Sequence, residues 1–378
     1  MGHVNKDPRN GNWLARWRDP SAHSRSKSFA RKVDAERFLS QLTADLHRGA
    51  YIDPAASKVL LESLALSWTA GLAHLKPSTA ERYRGIVRLH IVPRWGRWAL
   101  RSISHSDVSA WIGDLQRTGL APGTIRQTYR VLSLILDAAV KDGRIARNPA
   151  SGVALPRGVR SEPRFLTAME VGTLAKAAGP YRLAVLILAF TGLRFGELVA
   201  LRVKRVDAAR RRITVAESAS EVGGQLIWST PKTHQTRSVP VPASLMAELV
   251  AECQGKGPDD TVFTAPAGGP LRLGNWRGRM FDPACRSAGL IGVTPHDLRH
   301  TAASLAIAAG ANVKAVQGML GHASAAMTLD IYAGLFTDDL DNVGAALDGV
   351  ARDVALQMRD AGPDTEKPDD DDGLLQPA

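Results

Sequence analysis

The apolar residues of this chain do not keep one period, and that change limits it to a multidomain, mixed architecture. From about residue 56 to 152 they recur at three- and four-residue spacing, as on amphipathic helices. Between 211 and 241 they alternate, as on strands. A segment rich in Pro, Gly and Arg, Asn148 to Pro163, lies between the two patterns and reads as a linker. A length of 378 residues exceeds what one ordinary core serves and suits two or three domains. No apolar run approaches the roughly 20 residues that span a bilayer, so an integral membrane protein is excluded. The first ten residues hold no apolar stretch of the signal-peptide kind, and the chain is expected in the cytoplasm. Cys253 and Cys285 are too few for a disulfide framework and form no metal-type pair.

Charge narrows the class of partner. The net formal charge is +11, yet residues 338–378 hold 12 Asp/Glu against 3 Lys/Arg, so residues 1–337 carry +20. A surplus of that size attracts a polyanion through counterion release, and nucleic acid is the commonest one.

The expected fold class is multidomain, mainly α with small antiparallel sheets (α+β). In residues 1–55, Trp13 to Arg18 and Ser24 to Arg31 alternate as two strands, and Asp34 to Leu46 has helical spacing. Such a basic ribbon, with Trp13 and Trp17 interleaved, suits a DNA groove; its candidate DNA contacts are Arg16, Arg18, Arg25, Lys27 and Lys32. Residues 56–152 read as a helical bundle. One helix is expected to open at a capping box, Ser78 to Glu81, and to end at Pro93; another is expected to open at Thr124 to Gln127. Lys76, Arg82, Arg126 and Arg130 are the bundle's candidate DNA contacts, the last two lying four apart on one helix face.

From about 160 to 337 the pattern is mostly helical around one small antiparallel sheet. A helix opens at Thr167 to Glu170, and a buried-looking run, Leu183 to Phe190, ends at Thr191-Gly192. Arg211 to Glu217, Gln225 to Ser229 and Arg237 to Val241 alternate as three strands, with Gly223-Gly224 and Pro231 as turn residues. Leu340, Val343, Leu347, Val350 and Val354 then give an amphipathic helix over 338–361, which either packs back or docks on a neighbouring molecule. Residues 362–378, with Asp369 to Asp372, read as a disordered acidic tail.

Six residues of the third domain are individually ordinary and collectively informative. They are Arg194 in Thr191-Gly192-Leu193-Arg194, Lys232 in Pro231-Lys232-Thr233, His296 and Arg299 in Pro295-His296-Asp297-Leu298-Arg299, His322 in Leu320-Gly321-His322, and Tyr332 in Asp330-Ile331-Tyr332. This set, in this order, resembles the tyrosine recombinase (phage integrase) family, and every slot of the family's pattern is filled. The resemblance is strong over residues 160–337, the catalytic domain. It extends to the SAM-like, core-binding bundle through Leu89 to Pro93 and Asn148-Pro149. More weakly, residues 1–55 are similar to the arm-type DNA-binding domain of lambda-type integrases.

The residue types suit the implied chemistry. Attack on a phosphodiester builds charge on two non-bridging oxygens, and guanidinium forks such as Arg194 and Arg299 orient and neutralise them. Tyr332 is the expected nucleophile, and since a phenol with a pKa near 10 needs help at neutral pH, His296 is its expected base. Lys232, at a turn between strands, would protonate the 5′-oxygen, and His322 would add a donor to the phosphate. His296 and His300, four apart, also fit a zinc pair, but Asp297 replaces the Glu of H-E-x-x-H and Arg299 would set a cation beside the metal. No metal and no cofactor is expected, and no phosphate-binding G-x-x-x-x-G-K-[ST] loop occurs.

By resemblance, the chain is expected to be a site-specific DNA integrase working through a 3′-phosphotyrosyl intermediate to integrate or excise a phage or mobile element. The implied partners are double-stranded DNA at core-type and arm-type attachment sites, three further copies in a homotetramer, a host DNA-bending factor and an excisionase. A chromosome-dimer resolvase would lack residues 1–55, and a type IB topoisomerase would act as a monomer. The alternative from another class is a non-catalytic DNA-binding regulator of the same fold, whose signature would be a damaged catalytic set.

Overall fold

Alternation in the N-terminal segment produces strands, with one more than the apolar pattern predicts. In the computed structural model, which describes residues 2–19, 22–47, 56–158, 163–230, 236–335 and 340–360, β1 (His3–Lys6), β2 (Trp13–Arg18) and β3 (Ser24–Phe29) form an antiparallel sheet in that order. The two-stranded ribbon is thereby corrected: β1 is four mostly exposed, mostly polar residues, so no apolar alternation betrays it. Helix α1 (Lys32–His47) covers one face. Directly opposed residues share a face, so the register Trp17↔Arg25, Ala15↔Lys27 and Trp13↔Phe29 puts both tryptophans on the α1 side. Trp17 stands edge-on to Phe38 of α1 at 5.4 Å. Trp17 is buried there and Trp13 half-buried, so both pack towards α1.

The chain divides into two units, Met1–Glu162 with Ser220–Ile227, and Pro163–Ala219 with Trp228–Ala378. In the first, α2 (Leu61–Ala70), α3 (Pro77–Ile86), α4 (Val92–Trp95), α5 (His105–Arg117) and α6 (Pro122–Lys141) surround an apolar core that includes Leu61, Ile91, Trp95, Leu132 and Ile135. Two expected capping boxes are corrected. Helices α3 and α6 start earlier, at Pro77 and Pro122, with no side-chain cap, because proline's fixed φ and missing N–H suit the first helical position. Pro93 does not end the helix either: a π-turn over Val87–Ile91 carries the chain into α4. That wider turn accommodates the ring and the lost hydrogen bond that would break an ordinary α-helical ladder. Asn148 Nδ2 donates to Asp137 Oδ1 (2.7 Å) and Ser133 O (3.0 Å), tying the start of the linker to α6.

The second unit begins with α7 (Ala168–Ala177), opened by the expected Thr167 and Glu170 pair, each bonding the other's backbone N–H. Helices α8 (Arg182–Thr191) and α9 (Phe195–Val199) follow. Its strands are β4 (Val206–Asp207), β5 (Arg212–Val215) and β8 (Arg237–Pro240); β6 (Ser218–Val222) and β7 (Gln225–Ser229), between β5 and β8 in sequence, lie mostly in the segment that groups with the first unit. They form two sheets rather than the single one expected: β4-β5-β8, and a β6-β7 hairpin turning at Gly223-Gly224. Helices α10 (Ala243–Cys253), α11 (Leu273–Trp276), α12 (Asp282–Ser287), α13 (Pro295–Ala308), α14 (Val313–Leu320), α15 (Ala325–Tyr332) and α16 (Leu340–Asp360) complete it, with α13 packed on the buried α8. Leu347, Val350 and Val354 of α16 are exposed. Among the described residues no helix is long and apolar enough to cross a membrane.

Trp95 is fully buried and meets Trp98 and Trp111 edge-on at 5.2 and 5.7 Å. Trp95→Ala is expected to destabilise the bundle by about 3–5 kcal/mol, read as an earlier midpoint in denaturant unfolding.

Candidate active site

The site is assembled around the ends of helices. Arg299, only 2% exposed on α13, donates from Nη1 to Gly192 O (2.6 Å) and from Nη2 to Leu320 O (2.5 Å). These carbonyls lie at the C-termini of α8 and α14, where backbone acceptors lack intrahelical partners and the dipole favours a cation. Gly192 has φ +66°, and a Cβ there would stand 2.7 Å from Leu320 Cδ2, so only glycine makes this turn. Burial, then the charge of nearby Arg194, bring the Arg299 pKa down to about 9, which still leaves a cation at neutral pH.

A buried carboxylate organises two more guanidinium groups. Glu197, 3% exposed, accepts from Arg237 Nη1 (2.9 Å) and Nη2 (2.6 Å), from Arg194 Nη1 (2.9 Å) and from the Arg194 backbone N–H (2.9 Å). Burial alone would raise its pKa, but the Arg237 hydrogen bonds and charge, with those of Arg194, hold it below the usual carboxylate range. Arg237 also donates from Nε to Met319 O (3.0 Å). Sequence reading missed Arg237, which opens a short alternating strand and carries no signal distinguishing it from a solvent-facing strand arginine.

Tyr332 ends α15 and is 1% exposed. Its oxygen lies 2.8 Å from His300 Nδ1. The partner expected from sequence was His296; the fold instead presents His300, one turn further along α13, because His296 sits in the first turn of that helix, short of the tyrosine. The His296 and His300 rings meet edge-on at 5.0 Å. His322 Nδ1 is 3.0 Å from Thr328 Oγ1, and its ring lies parallel to Tyr332 at 6.5 Å. Burial pushes the Tyr332 phenol up to about 12, and burial followed by the Arg299 and Arg194 charges pulls His322 down to about 4. His296 and His300 are likewise lowered, burial being the main cause. At neutral pH the site therefore holds neutral imidazoles and a protonated phenol beside fixed guanidinium cations. Lys232 lies outside the described residues. Among the described residues no cluster of three or more His, Cys, Asp or Glu could hold a metal ion.

The candidate DNA contacts fall into two groups. Arg16 and Arg18 are exposed on the sheet face away from α1, and Arg126 and Arg130 are exposed on α6. Arg82 of α3 reaches Gln127 of α6 (3.5 Å), so these helices present one basic surface, and Arg126 Nε also donates to Pro156 O in the linker (3.0 Å). Lys76 is the N-cap residue of α3. The others are engaged within the small domain. Arg25 pairs with buried Asp19 (3.1 Å), Lys27 lies over Phe29 and Phe38, and Lys32 lies over Trp13 and 3.4 Å from Glu36.

Glu197→Gln removes the charge that Arg237 is buried against. The variant is expected to lose about 3–5 kcal/mol of stability, measured as a lowered Tm, and to release the Arg194 side chain.

Residues 162–338 match the model of the phage integrase family. The integrase of Mycobacterium phage L5 is 28% identical over 319 residues, covering 80% of this chain and 85% of its own. The Tn1549 transposon integrase, solved with circular intermediate DNA, shares the fold with a TM-score of 0.64 at 24% identity, covering 72% of this chain and 95% of that one. A lambda integrase tetramer bound to a Holliday junction gives a TM-score of 0.58 at 22% identity, covering 89% and 95%. With arginine, histidine and tyrosine side chains gathered in the order that family uses, residues 162–338 form a phage integrase family domain, and the chain is a site-specific tyrosine recombinase.

Proposed function

We propose that Tyr332 attacks a DNA phosphodiester to give a 3′-phosphotyrosyl intermediate and a free 5′-hydroxyl, which then attacks the phosphotyrosyl bond formed at a second site and releases that site's tyrosine. One observation carries this reading. Arg299 bonds the carbonyls of Gly192 and Leu320, each two residues before Arg194 and His322, and the His322 ring lies parallel to Tyr332 at 6.5 Å, so four residues of three sequence segments converge. Arg194 and Arg299 clamp the non-bridging oxygens, His322 donates to the same phosphate, and Lys232 protonates the departing 5′-oxygen. The covalent link conserves the bond energy, so resealing needs no nucleotide cofactor.

The assigned division of labour is an arm-type DNA-binding domain at 1–55, a core-binding domain at 56–152 and the catalytic domain at 160–337, with the helix 338–361 and the acidic tail 362–378 beyond. The substrate is double-stranded DNA at the attachment sites of a phage or mobile element, a reading supported by the phage L5 integrase among the relatives. The working unit is a homotetramer, as in the lambda integrase complex. It acts in the bacterial cytoplasm, with a host DNA-bending factor and an excisionase setting direction.

On a nicked suicide substrate the protein is expected to form a detergent-resistant DNA adduct, and Tyr332→Phe is expected to abolish it while binding stays within about twofold; an adduct in the Phe variant would remove Tyr332 as nucleophile. Deleting residues 1–55 is expected to weaken binding to arm-type repeats, by roughly tenfold or more at physiological salt, while core-site cleavage survives, measured by gel shift and adduct yield.

A further inference from the structure

His300 touches the reacting oxygen, yet the roles given so far do not use it. We infer that His300 is a catalytic residue, the base that takes the Tyr332 proton during cleavage and returns it during resealing. The inference rests on Tyr332 being the nucleophile.

Geometry supplies the argument. His300 Nδ1 and Tyr332 Oη are 2.8 Å apart, within the reach required of a general base. The ring planes cross at 56° with centroids 5.8 Å apart, so the contact is made through the nitrogen and not by stacking. Tyr332 is closed off from solvent, so bulk water is not at hand to take the proton. His300 follows Arg299 directly on α13, which ties the proton acceptor to the same turn as the phosphate clamp. The groups facing it are Asp297 and Arg299 on its own helix, His296 one turn back, and Tyr332 and His322 from the segment packed across it. Asp297 favours the imidazolium, whereas burial and Arg299 oppose it, so the ring is neutral and receptive at neutral pH. Without an acceptor, a phenol near 12 would be ionised in roughly one molecule in 10⁵ at pH 7.

The step balances. Tyr332 Oη forms a bond to phosphorus as the phosphorus–O5′ bond breaks. The phenolic proton passes to His300 Nδ1, giving an imidazolium, and the 5′-oxygen takes a proton from Lys232. In resealing, the 5′-hydroxyl attacks phosphorus and returns its proton to Lys232, while the departing tyrosine oxygen recovers the proton from His300.

The test is single-turnover adduct formation on a nicked suicide substrate with the full chain. His300→Ala is expected to slow it by about 10²–10⁴-fold with core-site binding unchanged, and added imidazole is expected to restore part of the rate. His300→Asn, which keeps a polar group but cannot take a proton, is expected to be as slow. The wild-type rate is expected to rise with pH as His300 loses its proton, below about 6.5, and to level off above; both variants lose that inflection. An alanine variant within about threefold of wild type, full activity in His300→Asn, or absence of imidazole rescue with the inflection retained would overturn the assignment. If His300→Ala lost binding through misfolding, the Asn variant and the wild-type pH profile would decide. An adduct formed by Tyr332→Phe would instead sink the nucleophile assignment on which this one rests.

Discussion

The catalytic unit hangs on one set of bonds, those between the Arg299 guanidinium and the carbonyls of Gly192 and Leu320. A buried cation is costly unless every face of it is answered. Here the answer comes from the spent ends of two helices, whose orphan acceptors need donors as much as the arginine needs acceptors. The same bonds join α8, α13 and α14, so the group proposed to clamp the phosphate also ties the domain's helices together.

Around that centre the charges are set before DNA arrives. Glu197 holds Arg194 and Arg237. The three arginines outnumber the buried Glu197 carboxylate, while the neighbouring imidazoles are driven neutral chiefly by burial and also by the arginine charges, Asp297 opposing them at His296 and His300. A dianionic transition state would meet donors already oriented, with little reorganisation left to oppose it.

Much of this was legible in the residues, unevenly so. The Thr167 and Glu170 cap, the buried run ending at Gly192 and the β6-β7 turn at Gly223-Gly224 follow from local chemistry that tertiary packing has no reason to overrule. Pro77 and Pro122 were harder, because each precedes a second plausible start and the proline wins by its fixed φ. Strand β1 has no apolar alternation to betray it, and Trp13 and Trp17 share their alternation with basic residues, so the pattern does not say which set faces α1. The ordered Arg, His and Tyr positions stood out only as a combination. Arg237 and His300 did not, since an arginine on a strand and a second histidine one turn from the first acquire meaning only when α15 and Glu197 arrive beside them.

The burial of Tyr332 has a consequence for a protein that must search long stretches of duplex. While the phenol stays protonated and walled in by His300, His322 and Phe165, chance encounters with the wrong sequence meet a blunt tool. On the proposed roles, selectivity is enforced twice, once by the surfaces that grip DNA and again by a nucleophile closed off from solvent, which protects the genome from stray nicks.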